Sequence, residues 1–151
     1  MDKMKAVIIT GAGRGLGEAV ARDLLSKGMC VVIADVHKVD INKYNNNSEF
    51  NSSDNILSHQ VNVSNRVEVK EMFTSALKKF KHLDYLINFA GINRDAPFIE
   101  MSDEDWDSVI SVHLKGAFIC CQEFVNSKSQ GNGHIINVSA ACGIQGRKNG
   151  A

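Results

Sequence analysis

The chain has 151 residues, 44% of them apolar and 23% charged, with 17 basic residues balancing 17 acidic ones. That length suits one domain with a real core, since a chain of this size buries about 70% of its unfolded surface. The zero net charge, with no stripe of basic and aromatic residues, argues against nucleic acid and anionic membranes as partners. The opening "MDKMKAVIIT" meets its glycines after an apolar run too short for a signal peptide or a bilayer span, so the expectation is a cytoplasmic protein away from membranes. Cys30, Cys120, Cys121 and Cys142 form no CxxC pair and read as reduced thiols rather than metal ligands.

In chain order, "KAVIIT" (Lys5 to Thr10) is a β-branched run that breaks on glycine, hence a buried strand. A helix follows from Gly15, with Leu16, Val20 and Leu24 on one face and Gly28 as its stop. "CVVIAD" (Cys30 to Asp35) is a second continuous apolar strand, which completes a βαβ unit and suits a parallel sheet covered on both faces. Residues 38–55 are rich in Asn and Ser and read as a low-complexity, solvated loop with at most a frayed helix. "ILSHQVNV" is a third strand, and the spacing of Val69, Met72, Phe73, Ala76, Leu77 and Phe80 predicts a helix over Asn65 to Lys81. "LDYLINFAG" is a fourth strand. Ser102 before the acidic "DEDW" is an N-cap for a long helix to about Lys128. "GHIINVS" is the fifth strand. The alternation implies an α/β, Rossmann-like doubly wound parallel sheet of order 3-2-1-4-5, with ligand at the carboxyl ends of its strands. No repeat or second domain is visible, so 1–151 reads as a single, incomplete dinucleotide-binding domain.

The turn "TGAGRGLG" (Thr10 to Gly17) lies between the first strand and the first helix. Gly11, Gly15 and Gly17 suit a tight reversal, a close approach to pyrophosphate and close helix packing, and the helix N-terminus attracts phosphate. No Gly-Lys-Ser/Thr follows, which excludes a P-loop. Asp35 closes the second strand about twenty residues on, where a carboxylate accepts both ribose hydroxyls. It would also repel a 2′-phosphate by roughly 1–4 kcal/mol at about 4 Å, which favours NAD over NADP. Arg14, inside the turn, argues the other way, since it could pair with that phosphate.

The segments "TGAGRGLG", "LINFAGINRD" and "DEDWDSVISVHLKGAF" together resemble the short-chain dehydrogenase/reductase family, above all its 3-oxoacyl-carrier-protein reductases and hydroxyacyl dehydrogenase units. The resemblance implies an NAD(P)-dependent oxidoreductase acting on an alcohol or hydroxyacyl group and its ketone. It places Thr10, Gly11, Gly13, Arg14, Gly15, Leu16 and Gly17 at the pyrophosphate turn and makes Asn62-Val63 the adenine pair. It sets Asn88, Ala90 and Gly91 under the cofactor, with Phe89 in place of a second Asn.

The departures from the family matter as much. His113 stands where the resemblance implies an Asn that supports a proton relay. The family's catalytic Ser falls on Ala140, with Ser139 one position early. The pair Tyr-x-x-x-Lys does not occur, because neither Tyr44 nor Tyr85 has Lys four residues on. The chain stops at Ala151 inside what looks like the approach to that motif. It therefore reads as the N-terminal part, or a shortened product, of such an enzyme. Alternative readings are an inactive NAD-binding module that regulates a full-length relative, and a product that folds poorly. Trp106, Ile110, Phe118, Ile119 and Phe124 are apolar over more than one face of the long helix; one face should pack on the sheet, and the resemblance implies that another docks on a second subunit, so 102–128 is expected to pair with a second copy or a relative. The apolar fifth strand is expected to lie bare at a sheet edge.

Overall fold

The computed structural model describes residues 4–44, 53–128 and 132–146. Five parallel strands form one sheet in the order β3-β2-β1-β4-β5, as the alternation of elements implied. They are β1 (Ala6–Thr10), β2 (Cys30–Asp35), β3 (Ile56–Gln60), β4 (Tyr85–Asn88) and β5 (His134–Asn137). The register pairs Thr10 with Ala34 and with Asn88, Asp35 with Gln60, and Asn88 with Asn137. Those residues therefore stand in one row at the carboxyl edge of the sheet.

Both faces of the central strands are covered because successive side chains of β1 and β2 are apolar and point to opposite sides. On one side Ala6, Ile8, Val32 and Ala34 meet Val69, Met72, Phe73, Ile119 and Phe124. On the other, Val7, Ile9, Val31 and Ile33 meet Ala21, Leu25 and Tyr44. β2 spans its expected run in full, whereas other strands are shorter than expected: β3 ends at Gln60, and β4 spans four residues where nine were expected.

Helix α1 (Gly15–Ser26) buries Gly17, Ala21 and Leu25, one position on from the predicted face. Leu16 is 74% exposed as a result. The cause is Gly17, whose missing side chain lets the helix sit against the Gly11 carbonyl and so turns that side inward. Gly28 ends α1 as expected: its N–H bonds to Leu25 C=O and that of Met29 to Leu24 C=O, the Schellman pattern.

Helix α2 (Arg66–Phe80) is capped by Asn65, whose side chain accepts from Val67 N–H while its amide donates to Glu68. The predicted long helix spans Asp103–Asn126 but is not uniform. α3 (Asp103–Ile110) passes into a π-helical stretch, Ser111–Gly116, before α4 (Ala117–Asn126). Ser102 caps α3 through its hydroxyl at 3.1 Å from Asp105 N. By length and hydropathy Asp103–Asn126 could cross a membrane. In the structure Ile119, Cys120 and Phe124 are buried against the sheet. The opposite side exposes Trp106, Ile110, Leu114, Phe118 and Val125, and β5 is exposed along its length.

The expectation of a solvated loop over 38–55 needs correction. Ile41–Tyr44 is a 3-10 turn whose Tyr44 is only 1% exposed. Its ring joins the core under α1, so its burial outweighs the polar composition around it. Residues 45–52 lie outside the described residues.

Candidate functional site

Along the carboxyl edge of the sheet, β1 delivers the chain into the glycine-rich turn. Gly11 takes φ 66° and lies so close to the chain leaving β4 that a Cβ there would sit 2.8 Å from Ala90 N. Thr10, buried beside it, accepts from Ala90 N–H through Oγ1 at 3.2 Å. A Cβ on Gly17 would lie 2.3 Å from the Gly11 carbonyl oxygen, whereas one on Gly15 would meet nothing within 4 Å. The turn is thus packed from behind and open in front, at the point where α1 presents amides without intrahelical partners.

Asp35 is anchored rather than free to swing. Its Oδ2 accepts from Gly13 N–H at 2.9 Å and its Oδ1 from His37 N–H at 3.0 Å. A carboxylate retains lone pairs beyond these two bonds, so it can still accept from hydroxyl groups. Gly13 approaches it so closely that a Cβ would lie 2.7 Å from the Asp35 carboxyl carbon.

In front of the turn is a cavity of about 250 Å³ lined by Gly11, Arg14, Asp35, Asn62, Val63 and Ala90, among others. Pockets for whole small ligands run to about 300–1,000 Å³, so this one suits a single nucleoside of a dinucleotide. Val63 is buried at its wall. Asn62 folds its side-chain oxygen onto Ser64, and its N–H donates to Glu68 at 2.7 Å. Arg14 is exposed at the N-cap of α1 in an extended conformation.

Asn88 is turned into the sheet. Its amide donates to Asn137 Oδ1 at 2.8 Å, and Cys121 Sγ lies 3.5 Å away. Asn88 Oδ1 is buried without a hydrogen-bond partner among the described residues. Asn88, Thr10, Ala90, His113 and Asn137 line a small second cavity of about 70 Å³.

His113 comes from the π-helical stretch and packs on the Gly91-Ile92 backbone. Its Nε2 is 3.0 Å from Ile92 N and 2.8 Å from Ile92 O, so it accepts or donates according to tautomer. A Cβ on Gly91 would lie 2.6 Å from the imidazole Cε1. Ser139 is exposed beyond β5 beside Gly143 and is not among the residues lining the cavity that His113 shares with Asn137. Ala140 precedes the 3-10 turn Ala141–Gly143 and brings no polar side-chain atom. The fold thus gathers the turn, Asp35, Asn62, Val63, Ala90 and Gly91 around one cavity, with His113 behind, and leaves Ser139 outside.

Sequence reading missed three contributors: Lys43 and Tyr44, which grip the turn from behind, and Asn137, which holds Asn88. An isolated aromatic in an Asn/Ser-rich stretch was the available signal for Tyr44.

A family model described as short chain dehydrogenase matches residues 5–151. The chain is 36% identical over 143 residues to a 3-oxoacyl-[acyl-carrier-protein] reductase of Thermotoga maritima, covering 94% of this chain and 58% of that one. It is 33% identical over 151 residues to a 3-oxoacyl-[acyl-carrier-protein] reductase of Synechocystis, again covering 94% and 58%. Among solved structures, a short chain dehydrogenase from Mycobacterium avium superposes with a TM-score of 0.84 at 28% identity, over 97% of this chain and 57% of that one. The chain therefore spans less than three fifths of the length of each of these three proteins.

Proposed function

Because the chain belongs to the short-chain dehydrogenase family of oxidoreductases, we propose that its strand-end cleft binds NAD(H) and serves the interconversion of an alcohol or hydroxyacyl group with its ketone. One observation carries this reading: an open helix N-terminus faces a nucleoside-sized cavity with Asp35 fixed on its rim. The residues fit the group. The first-turn amides of α1 take the anionic bridge, Asp35 accepts from ribose hydroxyls, and Val63 with Asn62 flanks the base. Asp35, held in place by two amides, cannot withdraw from a 2′-phosphate, which supports NAD over NADP; exposed Arg14 supports the opposite choice less strongly. When bound, the nicotinamide would donate or accept the hydride.

His113 orients the Gly91-Ile92 backbone next to the cavity. Free Cys30, Cys120 and Cys121 fit a reducing cytoplasm. The exposed side of Asp103–Asn126 supports self-association with a second copy of the chain, the arrangement that the family resemblance implies.

Ala140 favours a second reading, a cofactor-binding protein without turnover of its own, because a methyl group cannot hydrogen-bond a substrate carbonyl. The two separate in an assay of NADH oxidation with a 3-oxoacyl thioester, run on this chain joined to the C-terminal part of a relative, where the family resemblance places the Tyr-x-x-x-Lys pair that these 151 residues lack. Turnover that rises when Ala140→Ser is introduced supports the oxidoreductase. NADH binding with no turnover before or after the change supports the second reading.

A further inference from the structure

Behind the glycine-rich turn, the 3-10 turn Ile41–Tyr44 makes a set of contacts that the cofactor reading does not use. Tyr44 donates from its hydroxyl to Ala12 C=O at 2.7 Å, and Lys43 Nζ donates to Gly13 C=O at 2.6 Å. The Ala12–Gly13 peptide is held at both ends, since Gly13 N–H donates to Asp35 on the other side. In a trans peptide the C=O and N–H point in opposite directions. Lys43, bound to the Gly13 carbonyl, thereby turns the Arg14 N–H away from itself. Two successive peptide planes are fixed immediately ahead of the open N-terminus of α1.

The charges around this contact act in the same direction. Glu18 lies in the first turn of α1, close to where an anion would bind, and would compete with it for the positive end of the helix. Lys43 Nζ is 2.8 Å from its Oε2, and Arg22 Nη2 is 2.7 Å from its Oε1. These hydrogen bonds, from Lys43 first and Arg22 second, hold the Glu18 carboxyl below the usual glutamate range. Arg22 and Lys43 also lie over the Tyr44 ring, 4.8 and 5.0 Å from its centroid, and Arg22 Nη1 donates to Lys43 C=O at 2.5 Å. Two cations and one carboxylate leave this group with a net charge of plus one beside the turn.

We propose that Lys43 and Tyr44 are positioning residues for a dinucleotide: Tyr44 holds the Ala12 carbonyl so that Gly13 N–H reaches Asp35, Lys43 holds the Gly13 carbonyl so that Arg14 N–H faces the pyrophosphate, and Lys43 neutralises Glu18. This rests on the cofactor reading above and extends it to a segment outside the turn. The side chains need not touch the ligand: the effect of Lys43 falls on the phosphates, whereas that of Tyr44 also reaches the adenosine ribose through Asp35.

The test compares NADH, titrated by its fluorescence, with adenosine, which has no phosphate, titrated by NMR shifts. Lys43→Gln is expected to weaken NADH about tenfold and to leave adenosine unchanged, with Lys43→Arg recovering most of the NADH affinity, while Tyr44→Phe is expected to weaken NADH to a similar extent and adenosine with it. Unchanged NADH affinity in both variants overturns the proposal. So does an equal loss for adenosine in Lys43→Gln, or loss of the cooperative melt in both variants, since either marks general packing. A wild-type chain that binds neither probe removes the cofactor reading and this proposal with it. One that binds both equally well with and without the substitutions removes this proposal alone.

Discussion

A methyl group at position 17 would sit 2.3 Å from the Gly11 carbonyl oxygen, whereas one at position 15 would meet open space. The two glycines therefore answer differently to the same substitution. Gly17→Ala pushes α1 off the turn against backbone that cannot yield, an overpacking cost of about 3 kcal/mol. At this chain length that corresponds to a fall in Tm of about 6–12 °C. Gly15→Ala meets left-handed backbone strain, at φ 59°, of about 1 kcal/mol and leaves the packing intact. Thermal melts of both variants should rank them in that order. The role of Gly17 was legible because the spacing of the three glycines reflects a demand local to the turn. The roles of Tyr44 and Asn137 were not, because each depends on a partner more than thirty residues away in sequence: Tyr44 on Ala12, and Asn137 on Asn88.

The long helical segment shows the same division one level up. Apolar residues at helical spacing predicted a helix with two apolar faces, and both exist: Ile119, Cys120 and Phe124 lie against the sheet, while Trp106, Ile110, Leu114 and Phe118 face outward. The π-helical stretch between α3 and α4 had no local sign. It arises where two close contacts must be met together, His113 on Gly91-Ile92 and Gly116 against Val63, where a Cβ would lie 2.7 Å from the valine Cγ2. Such stretches recur at functional sites, and this one lies beside the cavity. The outward face carries its own prediction. Leu114→Glu combined with Phe118→Glu should convert a self-associated chain to monomer in sedimentation velocity, with NADH affinity unchanged because neither residue lines the cavity. A sedimentation coefficient identical before and after would remove this face as the contact.

Over the whole molecule, the strand order followed from the alternation of elements, since continuous apolar strands joined by helices admit few arrangements. The sheet register then aligned Thr10, Asp35, Asn88 and Asn137 at one edge, which no pairwise motif specified. The face of α1 was misread by one position because its packing follows a glycine rather than the apolar side chains. The stretch read as a solvated loop holds a buried clamp, because one aromatic outweighed the composition around it. The central claim is that this edge binds NAD(H) through the glycine-rich turn and Asp35. Calorimetric titration of the chain with NADH and with NADPH tests it most directly. The account predicts micromolar-range binding of NADH, at least about fivefold tighter than NADPH, from a repulsion of 1 kcal/mol or more at Asp35. Failure to bind either nucleotide would contradict the claim, and tighter binding of NADPH would show that Arg14 and not Asp35 sets the choice.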